Sequence, residues 1–226
     1  MDSTELFAAF RYDVDDTVQP YLWSNEEVWR YGADAHRMFA RLTGGITDVS
    51  SDVTRVDVLA GEATASLHPS ILRILTARRL SDNAPVRIVT EQDLPLYTSL
   101  DYTRTRQIFI DDTPGPLKAM VIGLELDTVR WVQVPTENDT VQLSVYRMPL
   151  DIITAPDMPI SEVAEEHHLH LIEWMKRWAY RKQDAETFNK TKSEDAEAAF
   201  RAYCAQVKAE RERKMFKPRI VHYGGI

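Results

Sequence analysis

The chain has 226 residues, 44% of them hydrophobic and 27% charged, which excludes wholesale disorder and leaves ample length for a buried core. Asp and Glu number 35 against 27 Lys and Arg, and the net charge of −8 argues against a large nucleic-acid surface, which needs excess cation to displace counterions. A single cysteine rules out an intramolecular disulfide, no apolar run approaches the roughly 20 residues of a membrane span, and the acidic start Met1-Asp2-Ser3-Thr4-Glu5 lacks a signal-peptide core.

In chain order, a short opening helix is predicted around Leu6, Phe7 and Phe10. The first firm helix start is Trp23-Ser24-Asn25-Glu26-Glu27. Ser24 as N-cap with Glu27 three residues on is a capping box, and Trp23 and Val28 stand where a hydrophobic staple would be. Val28, Tyr31, Ala35, Met38, Phe39 and Leu42 then recur at helical spacing until Gly44-Gly45 stops the helix. In the middle third, residues 55–58 and 63–67 flank a turn near Gly61 and read as a hairpin. Residues 71–75 read as either a short helix or an extended piece. Residues 86–89, 107–110, 118–122, 129–134 and 141–146 are rich in Val, Ile, Tyr and Trp and read as strands, antiparallel because their connections are short.

Pro149, Pro156 and Pro159 mark the exit from that β-rich part, and Ser161 is expected to cap a second helical half. Val163, Leu171, Trp174, Met175 and Trp178 form one apolar stripe. Phe188, Ala196, Phe200, Tyr203 and Val207 form another, with helicity continuing to about Lys214. The expected fold class is therefore α+β: a helical bundle from the N- and C-terminal helices, a small antiparallel β-rich middle unit and an extended C-terminal arm. The expected segments are 1–50 and 151–214 for the bundle, 51–150 for the β-rich unit and 215–226 for the arm. Val28, Tyr31, Met38, Phe39, Leu171, Trp174, Trp178, Phe200 and Tyr203 are the expected bundle core.

The chain carries few residues in patterns that do chemistry. His167-His168-Leu169-His170 is the strongest metal candidate, with Glu166 beside it, but no further ligands complete a site, and the run reads as a polar helix face near a helix start. Asp13-Val14-Asp15-Asp16 lacks the central Gly and closing Glu of a calcium loop and reads as a solvated loop. Cys204 falls on an apolar stripe, as a buried thiol would. The expectation is no catalytic residue, no metal and no cofactor. The most unusual segment is the end, Met215-Phe216-Lys217-Pro218-Arg219-Ile220-Val221-His222-Tyr223-Gly224-Gly225-Ile226, which alternates basic and apolar residues in an extended pattern. Residues 208–219 carry six bases against two acids, whereas residues 1–30 carry seven acids against two bases. The tail reads either as a strand packed on its own domain or as an arm inserted into another protein.

Several segments give this chain a family resemblance. They are Arg11-Tyr12-Asp13 and Tyr21-Leu22-Trp23-Ser24-Asn25-Glu26-Glu27 in the opening, the strand pair ending in Tyr146-Arg147-Met148-Pro149-Leu150, and His168-Leu169-His170-Leu171-Ile172-Glu173-Trp174-Met175 with Ala179-Tyr180-Arg181-Lys182-Gln183-Asp184. The closing Lys217-Pro218-Arg219-Ile220-Val221-His222-Tyr223 completes the set. In these the chain resembles the head–tail adaptor, or connector, proteins of short-tailed bacteriophages. The resemblance implies a structural protein of the virion, made in the bacterial host cytoplasm. It implies a ring, commonly of twelve copies, between the capsid portal and the tail nozzle. DNA passes through such a ring on ejection without specific binding, and no membrane is involved. On this reading Arg213, Lys214, Phe216, Lys217, Pro218, Arg219, Ile220, Val221, Tyr223 and Ile226 form an arm that docks on the portal. The competing expectations are another oligomeric tail or virion ring component, or a small metal-dependent enzyme around His167, His170 and Glu166.

Overall fold

The computed structural model describes residues 1–90, 113–184 and 186–215. Its fold is α+β. Contacts divide the chain into two compact units, Met1–Gly45 with Pro149–Ile226 and Ile46–Met148.

The helical unit contains α1 (Ser3–Asp13), α2 (Asn25–Leu42), α3 (Leu171–Ala179) and α4 (Lys190–Met215). Two of these helices begin with reciprocal capping boxes: Asp2 with Glu5 at α1, and Ser24 with Glu27 at α2. The staple residues Trp23 and Val28 are both buried in the same core. Asn189 opens α4, its side chain accepting from the backbone N–H of Lys192 at 2.9 Å. Helix α3 packs against both α2 and α4, and Phe10, Phe39, Leu171, Met175 and Phe200 are closed off from solvent in the core. That many large apolar side chains out of water is the main stabilising contribution, at about 1.5–3 kcal/mol each.

Two expectations for this unit change. Ser161 caps nothing. The chain stays irregular to Ala164, makes a 3-10 turn over Glu165–His170, and only then enters α3. The preceding stretch is held instead by the first residues of the chain: Ser3 Oγ donates to the Ala155 carbonyl at 2.9 Å and accepts from the Met158 N–H at 3.0 Å. Phe188 stands 53% exposed ahead of α4 and does not join its stripe, because Asn189 starts the helix only after it.

The β-rich unit is organised by its longest strands. The strands are β1 (Ile46–Asp48), β2 (Arg55–Val58), β3 (Thr64–Ser66), β4 (Ile71–Arg79), β5 (Arg87–Thr90), β6 (Pro114–Gly115), β7 (Ala119–Ile122), β8 (Thr128–Trp131), β9 (Val134–Pro135) and β10 (Asp139–Arg147). β1 and β2 pair end to end along one edge of β10, and β4 runs antiparallel along the other. A second sheet has the order β3-β8-β7-β5. Val141, Leu143 and Val145 of β10 meet Met120, Val129 and Trp131 in one apolar core.

Here too the structure departs from expectation. Residues 55–58 and 63–67 do not form a hairpin with each other: β2 joins β10 and β3 joins β8. Nor is the unit wholly antiparallel, since β5–β7 and β6–β9 are parallel pairs. A parallel pair needs a long connection, and β5 at Arg87–Thr90 and β7 at Ala119–Ile122 stand far enough apart in the chain to allow one. Residues 71–75, left open above, are strand. The strand expected at 107–110 lies outside the described residues.

Candidate interaction surface

The residues singled out for chemistry are used for packing. His167 shares a 2.8 Å hydrogen bond with the Tyr203 hydroxyl, and His170 stacks on the Tyr203 ring at 3.4 Å between centroids. His168 Nε2 reaches the Val163 carbonyl at 2.8 Å. The histidine run thus ties the turn before α3 to α4 through one tyrosine. Among the described residues no three His, Cys, Asp or Glu side chains are placed to hold a metal ion. Cys204 is buried, and that burial pushes its thiol up to about 11, far from the thiolate form that reacts.

The acidic run Asp13-Val14-Asp15-Asp16 was expected to be a solvated loop, and the structure corrects this. Asp16 is buried, pairing with Arg11 at 2.5 Å and accepting from the Leu22 N–H at 2.8 Å. Arg11 also donates to the Trp23 carbonyl and to Asn25, so the pair closes the connection between α1 and α2. Asp13 meets Lys176 at 2.8 Å. Asp13 and Asp15 face solvent, Asp15 in a left-handed backbone conformation at φ 59°.

Of the residues expected in the bundle core, Val28, Phe39, Leu171, Trp174 and Phe200 are buried, and Tyr31, Met38 and Tyr203 are partly buried against them. Trp178 differs: it remains 37% exposed. Its spacing from Leu171 puts it on the core face, but it stands in the last turn of α3, where its indole N–H donates to Asp34 Oδ2 at 2.7 Å and keeps the ring at the rim. Trp174 donates to the same oxygen at 2.6 Å. One carboxylate of α2 therefore clamps two indoles of α3. Helical spacing marks the tryptophans as apolar but says nothing of where their N–H groups find an acceptor.

Helix α4 carries the chain away from this core. Val207 is its last buried residue, and Arg213 and Lys214 are exposed at its end. Arg211 donates to the Gly45 carbonyl at 2.9 Å, placing a cation at the C-terminal end of α2, where the helix dipole favours it. The remaining arm residues, Phe216, Lys217, Pro218, Arg219, Ile220, Val221, Tyr223 and Ile226, lie outside the described residues. No described helix is long and apolar enough to cross a membrane.

The chain belongs to the SU10 adaptor protein family, whose model matches residues 1–221. It is accordingly a structural adaptor of a bacteriophage, a component of the virion that assembles with head and tail parts, and its family is not one of enzymes. A search of curated proteins found no match.

Proposed function

We propose that this adaptor forms a ring of about twelve copies at the head–tail junction of a short-tailed phage, joining the capsid portal to the tail nozzle and surrounding the DNA exit channel. The family match over residues 1–221 is the observation that carries this reading. Two features of the chain support it. The net charge of −8 suits a channel wall that DNA must slide past, since like charges keep the duplex from sticking. The C-terminal segment from Phe216 to Ile226 has the alternating basic and apolar residues of an arm that anchors in a partner's groove, with Arg213 and Lys214 at its root. Repetition of such an arm around a ring multiplies a modest single contact into a firm joint.

Co-sedimentation with the portal ring encoded in the same genome tests the reading. Full-length protein is expected to bind, and a version ending at Lys214 is expected to lose binding. Retention by both versions would keep the role and move the interface to the helical unit. Failure of both would remove the portal as partner.

A further inference from the structure

A basic, aromatic-floored groove runs between α2 and the C-terminal end of α3. Two adjoining hollows of about 380 Å³ and 360 Å³ share Tyr31 and Trp178 as lining. Glu27, Arg30, Asp34 and Arg37 follow one another at helical three- and four-residue steps, with Tyr31 three residues before Asp34, so α2 presents them on one face. The two acids of this face are already engaged. Glu27 pairs with Lys182 at 3.1 Å, and Asp34 accepts both indole N–H groups. Arg30, Arg37 and Arg181 stand exposed around the groove with no ion pair among the described residues. Three uncompensated arginines beside an exposed tryptophan, on a chain of net charge −8, call for an occupant that brings carboxylates and a large apolar side chain together.

This chain presents such a segment itself. Tyr12 in the last turn of α1 is 82% exposed and Val18 in the connection after it 77%, the highest values for large apolar residues described in the helical unit. Between them Asp15 faces solvent with no ion pair among the described residues. The connection begins on the side of α3 away from Trp178 and runs to Leu22, whose carbonyl accepts from Lys182 at the groove's edge. Asp13 is held by Lys176, and Lys176 lies two residues, about 200°, around the helix from Trp178. A segment and its complement that occupy different patches of the surface make a head-to-tail contact between copies, the kind that closes a ring.

We propose that the Tyr12–Val18 segment of one copy, the end of α1 and the start of the connection after it, docks in the Tyr31–Trp178 groove of the next, with Asp15 meeting Arg30, Arg37 or Arg181. The proposal rests on the reading that copies stand side by side in a ring. To test it, particles are assembled from full-length chains carrying Val18→p-benzoylphenylalanine, mixed with isotope-labelled chains lacking it, and irradiated. Mass spectrometry is expected to find adducts on peptides spanning residues 27–37 or 178–182 of the labelled copy. Arg30→Glu with Arg37→Glu is expected to cut that adduct at least tenfold with an unchanged melting curve, while Arg41→Glu, one turn outside the groove, leaves it unchanged. Adducts between copies at other residues would overturn the docking and leave the ring standing. Adducts confined to other proteins, or none between copies, would likewise overturn the docking and leave the ring to be judged by the number of copies in each particle.

Discussion

The indole N–H of Trp23 donates to the carbonyl oxygen of Ala179 at 3.1 Å, across 156 residues of sequence. It joins the start of α2 to the end of α3, so the first and last parts of the chain share one core although the whole β-rich unit lies between them in sequence. Trp23 is 2% exposed, with Phe10 and Tyr180 packed edge-on against it at 6.1 and 6.3 Å. Trp23→Ala is expected to cost about 3–5 kcal/mol of unfolding free energy in urea titrations. Trp23→Phe, which keeps a ring but removes the donor, is expected to cost less, on the order of 1–2 kcal/mol.

The double acceptor Asp34 gives a second expectation. Asp34→Ala leaves the Trp174 and Trp178 N–H groups without their shared carboxylate, and Trp174 is buried. A loss of about 2 kcal/mol is expected, with a changed near-ultraviolet circular dichroism signal from the released indoles. An unchanged aromatic signal would mean that the clamp does not hold the rings in solution.

In the β-rich unit, Asp48 of β1 and Arg147 of β10 form a buried ion pair. Burial opposes ionisation of Asp48, but hydrogen bonds from Ser51, Arg147 and the Ser50 backbone outweigh it and hold the carboxyl well below the usual carboxylate range. A depressed folded pKa contributes stability that is complete above the unfolded value near 4 and is lost as pH falls below it. Melting temperature is therefore expected to drop below about pH 4, and the drop attributable to this group should vanish in Asp48→Asn. Asp48→Ala is expected to cost about 3 kcal/mol at neutral pH, measured by chemical denaturation, because Arg147 loses its carboxylate partner inside the sheet.

His36 is a buried imidazole on α2, and neither ring nitrogen finds a hydrogen-bond partner among the described residues. Burial, the largest influence, holds its pKa below the ordinary 6.5, with Glu162 pulling the other way and His168 adding to the depression. The folded state thus binds its proton less readily than the unfolded chain, so its contribution is fully present above about pH 6.5 and falls as pH drops below that value. A thermal-melt series from pH 7.5 to 5 is expected to show this decline, and His36→Leu is expected to flatten it.

The parts of this protein legible from sequence are those set by local chemistry. Ser24 and Glu27 marked the start of α2 because a capping box needs only residues three apart. The repeat of Val28, Ala35 and Phe39 marked its buried face because an α-helix has a fixed period. The same logic marked α4 as far as its charged end, and the family resemblance was carried by contiguous strings of residues. What tertiary structure decided was which distant partner each group meets. Strand character in residues 55–58 and 63–67 was local, but their pairing with β10 and β8 was not, since a strand's hydrogen bonds are satisfied equally well by any neighbour of suitable register. Asp16 became a buried ion pair only once Arg11 folded beside it, and Trp178 moved to a rim only because Asp34 on another helix accepts its N–H. Spacing along the chain determines which side chains share a face. The free energy of a polar or aromatic group depends on what the rest of the fold sets against that face.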